Sequence, residues 1–281
     1  MAENISVVLQ HARQALKAAG VDSFALDAEL LLREALSLSR EALVRDPGRI
    51  VSGAPYLCYQ AMLARRIRHE PVAYILGKKE FYGRDFTVNK ATLIPRPDSE
   101  TLIDAVLKYA PKPRDGFRMV DFGTGSGCLL LTLLAEMQGV TGVGVDISAE
   151  AIAVAEENAQ KLGLANRVKF RINSWQEEGE EAFDIVIANP PYIKRDDVSN
   201  LHPGVFLFEP HAALDGGNDG LVCYRQLAER QTQWLKPGGM LFLECGLDQH
   251  NDVVEIFARH GLQLVTIEKD LSGISRCIVM N

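Results

Sequence analysis

Apolar residues at the head of the chain recur at helical spacing. In DAELLLREALSLSREAL, Leu30, Leu31, Ala35, Leu38 and Leu43 fall on one stripe, which predicts a helical segment stopped by Asp46-Pro47-Gly48. A further helix through LCYQAMLARRIRH is expected to end near Glu70-Pro71, because a proline turns the residue before it away from helical geometry. The first 76 residues therefore read as a compact bundle of helices. Between Lys79 and Leu93 the period changes. Phe81, Phe86, Val88 and Leu93, interrupted by Gly83-Arg84 and Asn89-Lys90, give the pattern of a β-hairpin. The two prolines of IPRPDSE then make a stiff entry to the helix ETLIDAVLKYA, with Asp98 or Ser99 as its expected cap.

From Arg118 onward strands and helices alternate. RMVDFG, TGVGVDI, RVKFRIN, FDIVIANP and MLFLECG read as strands, and CLLLTLLAEM, SAEAIAVAEENAQKLG, CYRQLAERQTQWL and VVEIFARH as helices. Ser148 is the expected N-cap of the second helix, and Lys236-Pro237-Gly238-Gly239 the turn after the third. FDIVIANP is almost wholly apolar, as an interior parallel strand should be. LQLVTIEKD and SRCIVMN are too close in sequence for a crossover and predict an antiparallel hairpin at the sheet's end. The fold class is α/β, with a mostly parallel sheet of about seven strands.

With 47% hydrophobic and 24% charged residues among 281, a mostly disordered chain is excluded. The net charge of −7 argues against an extensive nucleic-acid surface. It is unevenly spread, with +3 on residues 1–84 and −10 on residues 85–281, which suggests two parts with separate duties. The run RRIRHEP (Arg65, Arg66, Arg68) is the main basic feature and fits a solvated helix face or a small partner patch. No stretch approaches the ~20 apolar residues of a membrane span, and the first 20 residues lack the apolar core of a signal peptide. Five scattered cysteines read as reduced, mostly buried thiols of a cytoplasmic protein, and the six histidines show no ligand spacing, so no metal is expected.

Two motifs carry chemistry. VDFGTGSG sets Gly123, Gly125 and Gly127 between a strand and a helix, where backbone can turn tightly and approach a ligand. The spacing differs from the GxGxxG dinucleotide fingerprint, and no lysine follows to make a phosphate loop. Asp146 ends the next strand, where a carboxylate can accept both hydroxyls of a ribose. The pair points to an adenosine-containing cofactor. Asp121, before the glycine turn, either fixes that loop or faces the cofactor's amino group. Asn173 and Ser174 end the third strand, where an adenine edge would lie. The second motif, Asn189-Pro190-Pro191-Tyr192, ends the fourth strand. Two prolines cannot continue a ladder and hold a rigid turn. The Asn189 side-chain carbonyl and the Pro190 backbone carbonyl are two acceptors suited to a planar –NH2 group, and Tyr192 offers a flat face over it. His211 and the Gly/Asn/Asp-rich DGGNDG, Asp215 to Gly220, read first as surface and turn residues and only second as part of a substrate pocket.

Together, DFGTGSG, Asp146 and NPPY resemble a class I S-adenosylmethionine-dependent methyltransferase acting on an amino group conjugated to an sp2 centre. EPVAYILGKKEFYG, LIPRPDSE, NPPYI, FEPHAALDGGNDGL and KDLSGISR narrow the resemblance to the HemK/PrmC family, which methylates the glutamine of the Gly-Gly-Gln motif in peptide chain release factors. The resemblance implies a Rossmann-like seven-stranded domain over residues 95–281, a β-hairpin linker over 79–94 and a helical substrate-recognition domain over 1–78. Carried onto this chain, the family's cofactor positions fall on Asp121, Gly123, Thr124, Gly125, Gly127, Asp146, Ile147, Ser174, Trp175 and Asn189. Its catalytic positions fall on Asn189, Pro190 and Tyr192, and its substrate positions on Pro191, Tyr192, Arg96, Glu100 and Glu209. The implied cofactor is S-adenosyl-L-methionine, with S-adenosyl-L-homocysteine as product. The implied partners are bacterial class 1 release factors, met in the cytoplasm by a monomer with no membrane and no stable nucleic-acid partner. Three positions depart from the family pattern: Ser174 stands where an acidic residue is common, Phe206 near a usually basic position, and PDSE in place of PETE. A ribosomal-protein glutamine and an adenine amino group offer the same two hydrogens and remain the alternative acceptors.

Overall fold

The computed structural model describes residues 3–177, 179 and 181–281. The chain divides into two compact units, one of Met1–Gly77 with His202–Phe208, the other of Lys78–Leu201 with Glu209–Asn281.

The smaller unit is built from helices α1 (Ile5–Ala18), α2 (Phe24–Leu36), α3 (Arg40–Arg45), α4 (Gly53–Ile67) and α5 (Val72–Leu76). A short antiparallel pair, β1 (Glu3–Asn4) with β2 (Ile50–Val51), is present as well. Ile5, Leu16, Leu31, Leu32 and Tyr59 meet in its core. The single stripe expected from Leu30 to Leu43 is two helices. Ser37 takes a left-handed conformation (φ 52°) that closes α2, and the Ser39 hydroxyl caps α3 by accepting from the Ala42 amide at 3.2 Å. Serines compete for backbone partners and so break a helix that the apolar spacing alone would continue. The basic run is not a solvated face throughout. Arg66 is 7% exposed and pairs with buried Asp27 at 2.7 Å, while Arg65 pairs with Glu70 at 2.7 Å. Removing one partner of the buried pair strands a charge, at about 3–5 kcal/mol.

The larger unit opens with a hairpin, β3 (Lys78–Phe81) and β4 (Arg84–Thr87). Tyr82 (φ 49°) and Gly83 (φ 74°) form its turn, one residue earlier than the expected Gly83-Arg84. Helices α6 (Glu100–Tyr109), α7 (Cys128–Glu136), α8 (Ala149–Lys161) and α9 (Arg195–Val198) follow. α10 (Pro203–Phe206) lies in the segment that belongs to the smaller unit, and α11 (Val222–Trp234) and α12 (His250–Ala258) complete the set. Ser148 caps α8 as expected, accepting from the Ala151 amide at 3.1 Å. Neither Asp98 nor Ser99 caps α6. A 3-10 turn over Pro97–Ser99 runs directly into the helix, and Ser99 is itself in helical conformation with its hydroxyl spent elsewhere.

The sheet consists of β5 (Arg118–Phe122), β6 (Thr141–Asp146), β7 (Val168–Ile172), β8 (Phe183–Ala188), β9 (Leu235–Glu244), β10 (Leu264–Lys269) and β11 (Ser275–Met280). Its order is β10-β11-β9-β8-β5-β6-β7, parallel except for β11, which runs antiparallel to β9 and β10. Lys236 to Gly239 form a bulge inside β9 instead of a free turn: Leu235 pairs with Phe183, and the next partners are Met240 and Ile185. Buried Asp184 pins that bulge by accepting from Lys236 Nζ at 2.7 Å and the Arg118 amide at 2.9 Å. Leu102, Ile103, Leu130 and Leu134 belong to one core cluster of this unit, and Tyr224, Trp234, Val253 and Phe257 to another. From β5 the chain steps to β6 and β7, then returns to β8 on the other side. The strand order therefore switches between β5 and β8, and a parallel sheet opens a crevice at the carboxyl ends of the strands flanking such a switch.

Candidate active site

The turn after β5 is shaped by glycine conformation. Gly123, Gly125 and Gly127 all have positive φ (76°, 54° and 78°), which side chains rarely adopt. A Cβ on Gly127 would also lie 3.0 Å from Leu131 and 3.3 Å from Ala155. The turn is tied to β6 through Asp146, whose Oδ2 accepts from the Gly125 amide at 2.9 Å and whose Oδ1 accepts from the Ser148 amide at 2.9 Å. A carboxylate has roughly four acceptor positions, so capacity remains for two hydroxyls. Asn158 reaches the same turn from α8: its Nδ2 donates to the Ser126 carbonyl at 2.9 Å and to the Thr87 carbonyl at 3.0 Å, stitching the hairpin to it.

Asp121 is 1% exposed. Its Oδ2 accepts from the Thr124 hydroxyl at 2.7 Å, the loop-fixing role, while Oδ1 is buried with no partner among the described residues. Burial pushes its carboxyl up to about 7, against the Thr124 hydrogen bond. A cavity of about 750 Å³ opens at the glycine turn, bordered by Gly123, Gly125, Asp146, Ile147, Trp175 and Asn189. Glycine backbone, an exposed Ile147 and the Trp175 ring suit a nucleoside, and the Asp146 carboxylate suits its ribose hydroxyls. These residues fit an adenosine-containing cofactor.

Asn189 to Tyr192 leave β8 across the switch from that turn. Tyr192 is held from behind. The Gln249 amide donates to its carbonyl at 2.9 Å, and Gly216 lies so close that a Cβ there would stand 2.8 Å from the Pro191 carbonyl and the Tyr192 Cα. Ile193 and Asp215 form a bridge, and the Ile193 amide donates to the Leu214 carbonyl at 3.0 Å. DGGNDG is therefore the support that holds the proline turn rigid. The Asn189 Nδ2 donates to the Ser99 hydroxyl at 3.3 Å.

The remaining expected site residues sit in varied places. Pro191 borders the cavity. Ser174 is turned into its own loop, its hydroxyl accepting from the Gln176 amide at 3.1 Å, and the adjoining Asn173 borders the cavity. Glu209 is buried and braces the entry loop, accepting from Arg96 at 2.6 Å and the Ile94 amide at 3.1 Å. Glu100 accepts from the Tyr82 amide at 2.9 Å and thereby anchors the hairpin turn. Sequence reasoning missed Lys90 to Leu93, Pro210, Ala212 and Ala213 as cavity walls, and Gly216 and Gln249 as supports. The prolines and the DGGNDG run were visible signals for the second group. All five cysteines are free, with Cys223, Cys245 and Cys277 buried and Cys58 exposed.

A model of the PrmC N-terminal domain matches residues 8–77, and one of a methyltransferase domain matches residues 113–251. The chain is 42% identical over 269 residues to the release factor glutamine methyltransferase of Caulobacter vibrioides, covering 95% of this chain and 93% of that one. It is 41% identical over 277 residues to the enzyme of the same name from Agrobacterium fabrum, covering 98% and 96%. Its fold is similar to the crystal structure of a methyltransferase from Pyrococcus furiosus, with a TM-score of 0.51 at 17% identity over 79% of this chain and 96% of that one. Sheet order, glycine turn and domain match make the larger unit a class I S-adenosylmethionine-dependent methyltransferase domain. With relatives of such identity along nearly its whole length, the chain belongs to the release factor glutamine methyltransferase family.

Proposed function

We propose that the protein methylates the side-chain amide nitrogen of the glutamine in the Gly-Gly-Gln motif of bacterial class 1 release factors, acting as a cytoplasmic monomer. The observation that carries this reading is the rigid Asn189-Pro-Pro-Tyr192 turn bordering the cavity across the sheet switch from the glycine turn. S-adenosylmethionine, when bound, supplies an electrophilic methyl group. Gly123, Gly125 and Gly127 would cradle it, Asp146 would take its ribose hydroxyls and Ile147 and Trp175 would face its base, with Asp121, Thr124 and Ser174 shaping the surrounding loops.

An amide nitrogen is a poor nucleophile because its lone pair is shared with the carbonyl. As it attacks, it loses that conjugation and its hydrogens become more acidic. Acceptors at Asn189 Oδ1 and the Pro190 carbonyl then bind it more strongly, which stabilises the transition state over the ground state. Tyr192 and Pro191 hold the amide plane, and Arg96, Glu100 and Glu209 set the loop that flanks it. No side-chain base is required, because an N-alkylated amide cation gives up its proton readily to water. The gain comes from orientation and from these fixed acceptors.

The helical unit, residues 1–78, is the partner-recognition element in this reading. Its charge is opposite in sign to that of the rest of the chain, and it exposes apolar Val44, Ile50 and Leu57 (69%, 57% and 66%). One amide offers too little surface to select a protein, and a standard interface buries about 800 Å² per side. Labelled methyl transfer is to be measured in parallel on intact release factor, the factor with its glutamine replaced, a Gly-Gly-Gln peptide, ribosomal proteins and DNA. The label should enter only the intact factor and, weakly, the peptide, and Leu57→Asp should raise KM for the factor alone. Label in the glutamine-free factor or preferential label in DNA would refute the substrate. Equal KM effects on factor and peptide would refute the role of the helices.

A further inference from the structure

We propose that Glu244 is a positioning residue of the acceptor site: its carboxyl, buried behind the Asn189-Pro-Pro-Tyr192 turn, fixes which end of the Asn189 amide faces the substrate. This rests on the reading that Asn189 receives a substrate amide. Glu244 ends β9, the neighbour of β8, and is 2% exposed. The Tyr192 hydroxyl donates to its Oε1 at 3.5 Å, and the Tyr224 hydroxyl to its backbone carbonyl at 2.9 Å. The Ser99 hydroxyl and the Asn189 amide lie against the carboxyl and favour its charged form, while Oε2 has no aligned hydrogen-bond partner among the described residues. Segments distant in sequence thus converge on one buried carboxyl: PDSE, NPPY, LECG and, through Arg276, SGISR.

The chemistry of the donors decides the orientation. An asparagine amide has one donating end and one accepting end, and a carboxylate only accepts. Turning Oδ1 inward would set two acceptors against each other in a dry site; Nδ2 instead donates to Ser99 beside Glu244, which leaves Oδ1 for the cavity that Asn189 borders. The Ser99 hydroxyl cannot enforce this alone, because it donates or accepts equally well. In the reversed orientation Asn189 would present an –NH2 to the substrate's –NH2, and the transition-state acceptor would be lost.

The geometry brings a pH dependence with it. Burial pushes Glu244 up to about 7, against Ser99, Arg276 and Asn189, which favour the ion, and with Asp98, which opposes it. Tyr192, Tyr224, Cys128, Cys245 and Cys277 are the other titratable groups around it, all held protonated by burial. Arg276 is shared with Asp98 and Asp270, at 3.1 and 3.0 Å. Once protonated, Glu244 can donate and no longer dictates the flip. Turnover should therefore fall as pH drops through the neutral range. Buried Asp121 titrates near the same pH, so the difference between wild type and a Glu244 variant isolates the effect.

Glu244→Gln keeps the shape but can donate as well as accept. Methyl transfer to release factor, measured from about pH 6 to 9, should show kcat lowered about 10-fold to 100-fold with the acidic limb flattened relative to wild type. Affinity for S-adenosylhomocysteine should stay within about twofold, and Glu244→Asp, again acceptor-only, should recover part of kcat and the acidic limb. Wild-type kcat and pH profile in Glu244→Gln would overturn the proposal, and so would parallel losses of turnover and cofactor affinity. Should that variant not fold, the side-chain NH2 resonances of Asn189 in the wild-type protein decide: a shift with pH near neutrality supports the role, and invariance overturns it. This measurement stands even if wild-type protein methylates no glutamine, an outcome that would refute the substrate reading alone.

Discussion

The glycine turn after β5 and the proline turn after β8 face one crevice but are held by different means. The first combines local conformation with ties to the elements that follow it: three left-handed glycines, the Asp146 carboxylate at the end of β6 that accepts from the Gly125 amide, and Asn158 of α8, which donates to the Ser126 carbonyl. The second has little internal bonding. It is stiff because prolines limit it and because Gly216, Gln249, Ser99 and Glu244, from other parts of the chain, close in behind it. On the proposed reading, the cofactor meets a turn braced by the β6 and α8 elements that follow it, whereas the acceptors for the substrate amide are set by packing from distant segments. Changes at the first turn should therefore act on cofactor affinity, and changes behind the second on turnover.

The largest expected effect tests that division at its sharpest point. Asn189→Ala should lower single-turnover methyl transfer by about 100-fold or more, the scale of a lost transition-state acceptor. S-adenosylhomocysteine affinity, measured by calorimetry, should change by only about twofold if the glycine turn and Asp146 carry most of the cofactor contacts, as proposed. A comparable loss in both quantities would mean that the two walls are one unit.

Asp146→Ala addresses the opposite wall and should weaken S-adenosylhomocysteine by about 1.5–3 kcal/mol, as for other charge-assisted hydrogen bonds. The Gly125 and Ser148 amides lose their acceptor at the same time, so part of that figure is loosening of the turn. Once the cofactor is saturating, kcat should recover most of its wild-type value. A kcat that stays depressed at saturation would show Asp146 acting on the acceptor side too.

The same contrast explains what could be read from the chain. The sheet, the Ser148 cap and the glycine turn depend on residues close in sequence or on a repeating period, so Gly123, Asp146 and the C-terminal hairpin were legible. The break at Ser37, the bulge at Lys236 to Gly239 and the absent cap at Ser99 were not. At Ser37 the break comes from the serines themselves, which the apolar spacing does not weigh; in the other two a local preference was redirected by a partner elsewhere, Asp184 for the bulge and Asn189 for Ser99. NPPY itself was legible as a motif, but its supports were not. Glu244 reads only as the polar end of an apolar strand, and nothing in DGGNDG says that it lies against Tyr192.

Gly216→Ala is the smallest perturbation and the finest test of packing as the source of rigidity. The glycine has ordinary backbone geometry, so the substitution brings no conformational strain of its own. Its only consequence is steric: the new methyl carbon would stand 2.8 Å from backbone atoms of Pro191 and Tyr192, and backbone cannot swing aside as a side-chain tip does. Either the DGGNDG loop or the proline turn must move by several tenths of an ångström. Overpacking of this kind destabilises by about 1–3 kcal/mol, visible as a lowered Tm. If the proline turn moves, the Asn189 and Pro190 acceptors leave their alignment, and kcat should fall by about 3-fold to 10-fold with cofactor affinity unchanged. A variant that loses stability but turns over like wild type would show that the loop yields instead, and that the rigidity of the acceptor site comes from Gln249, Glu244, Ser99 and the prolines.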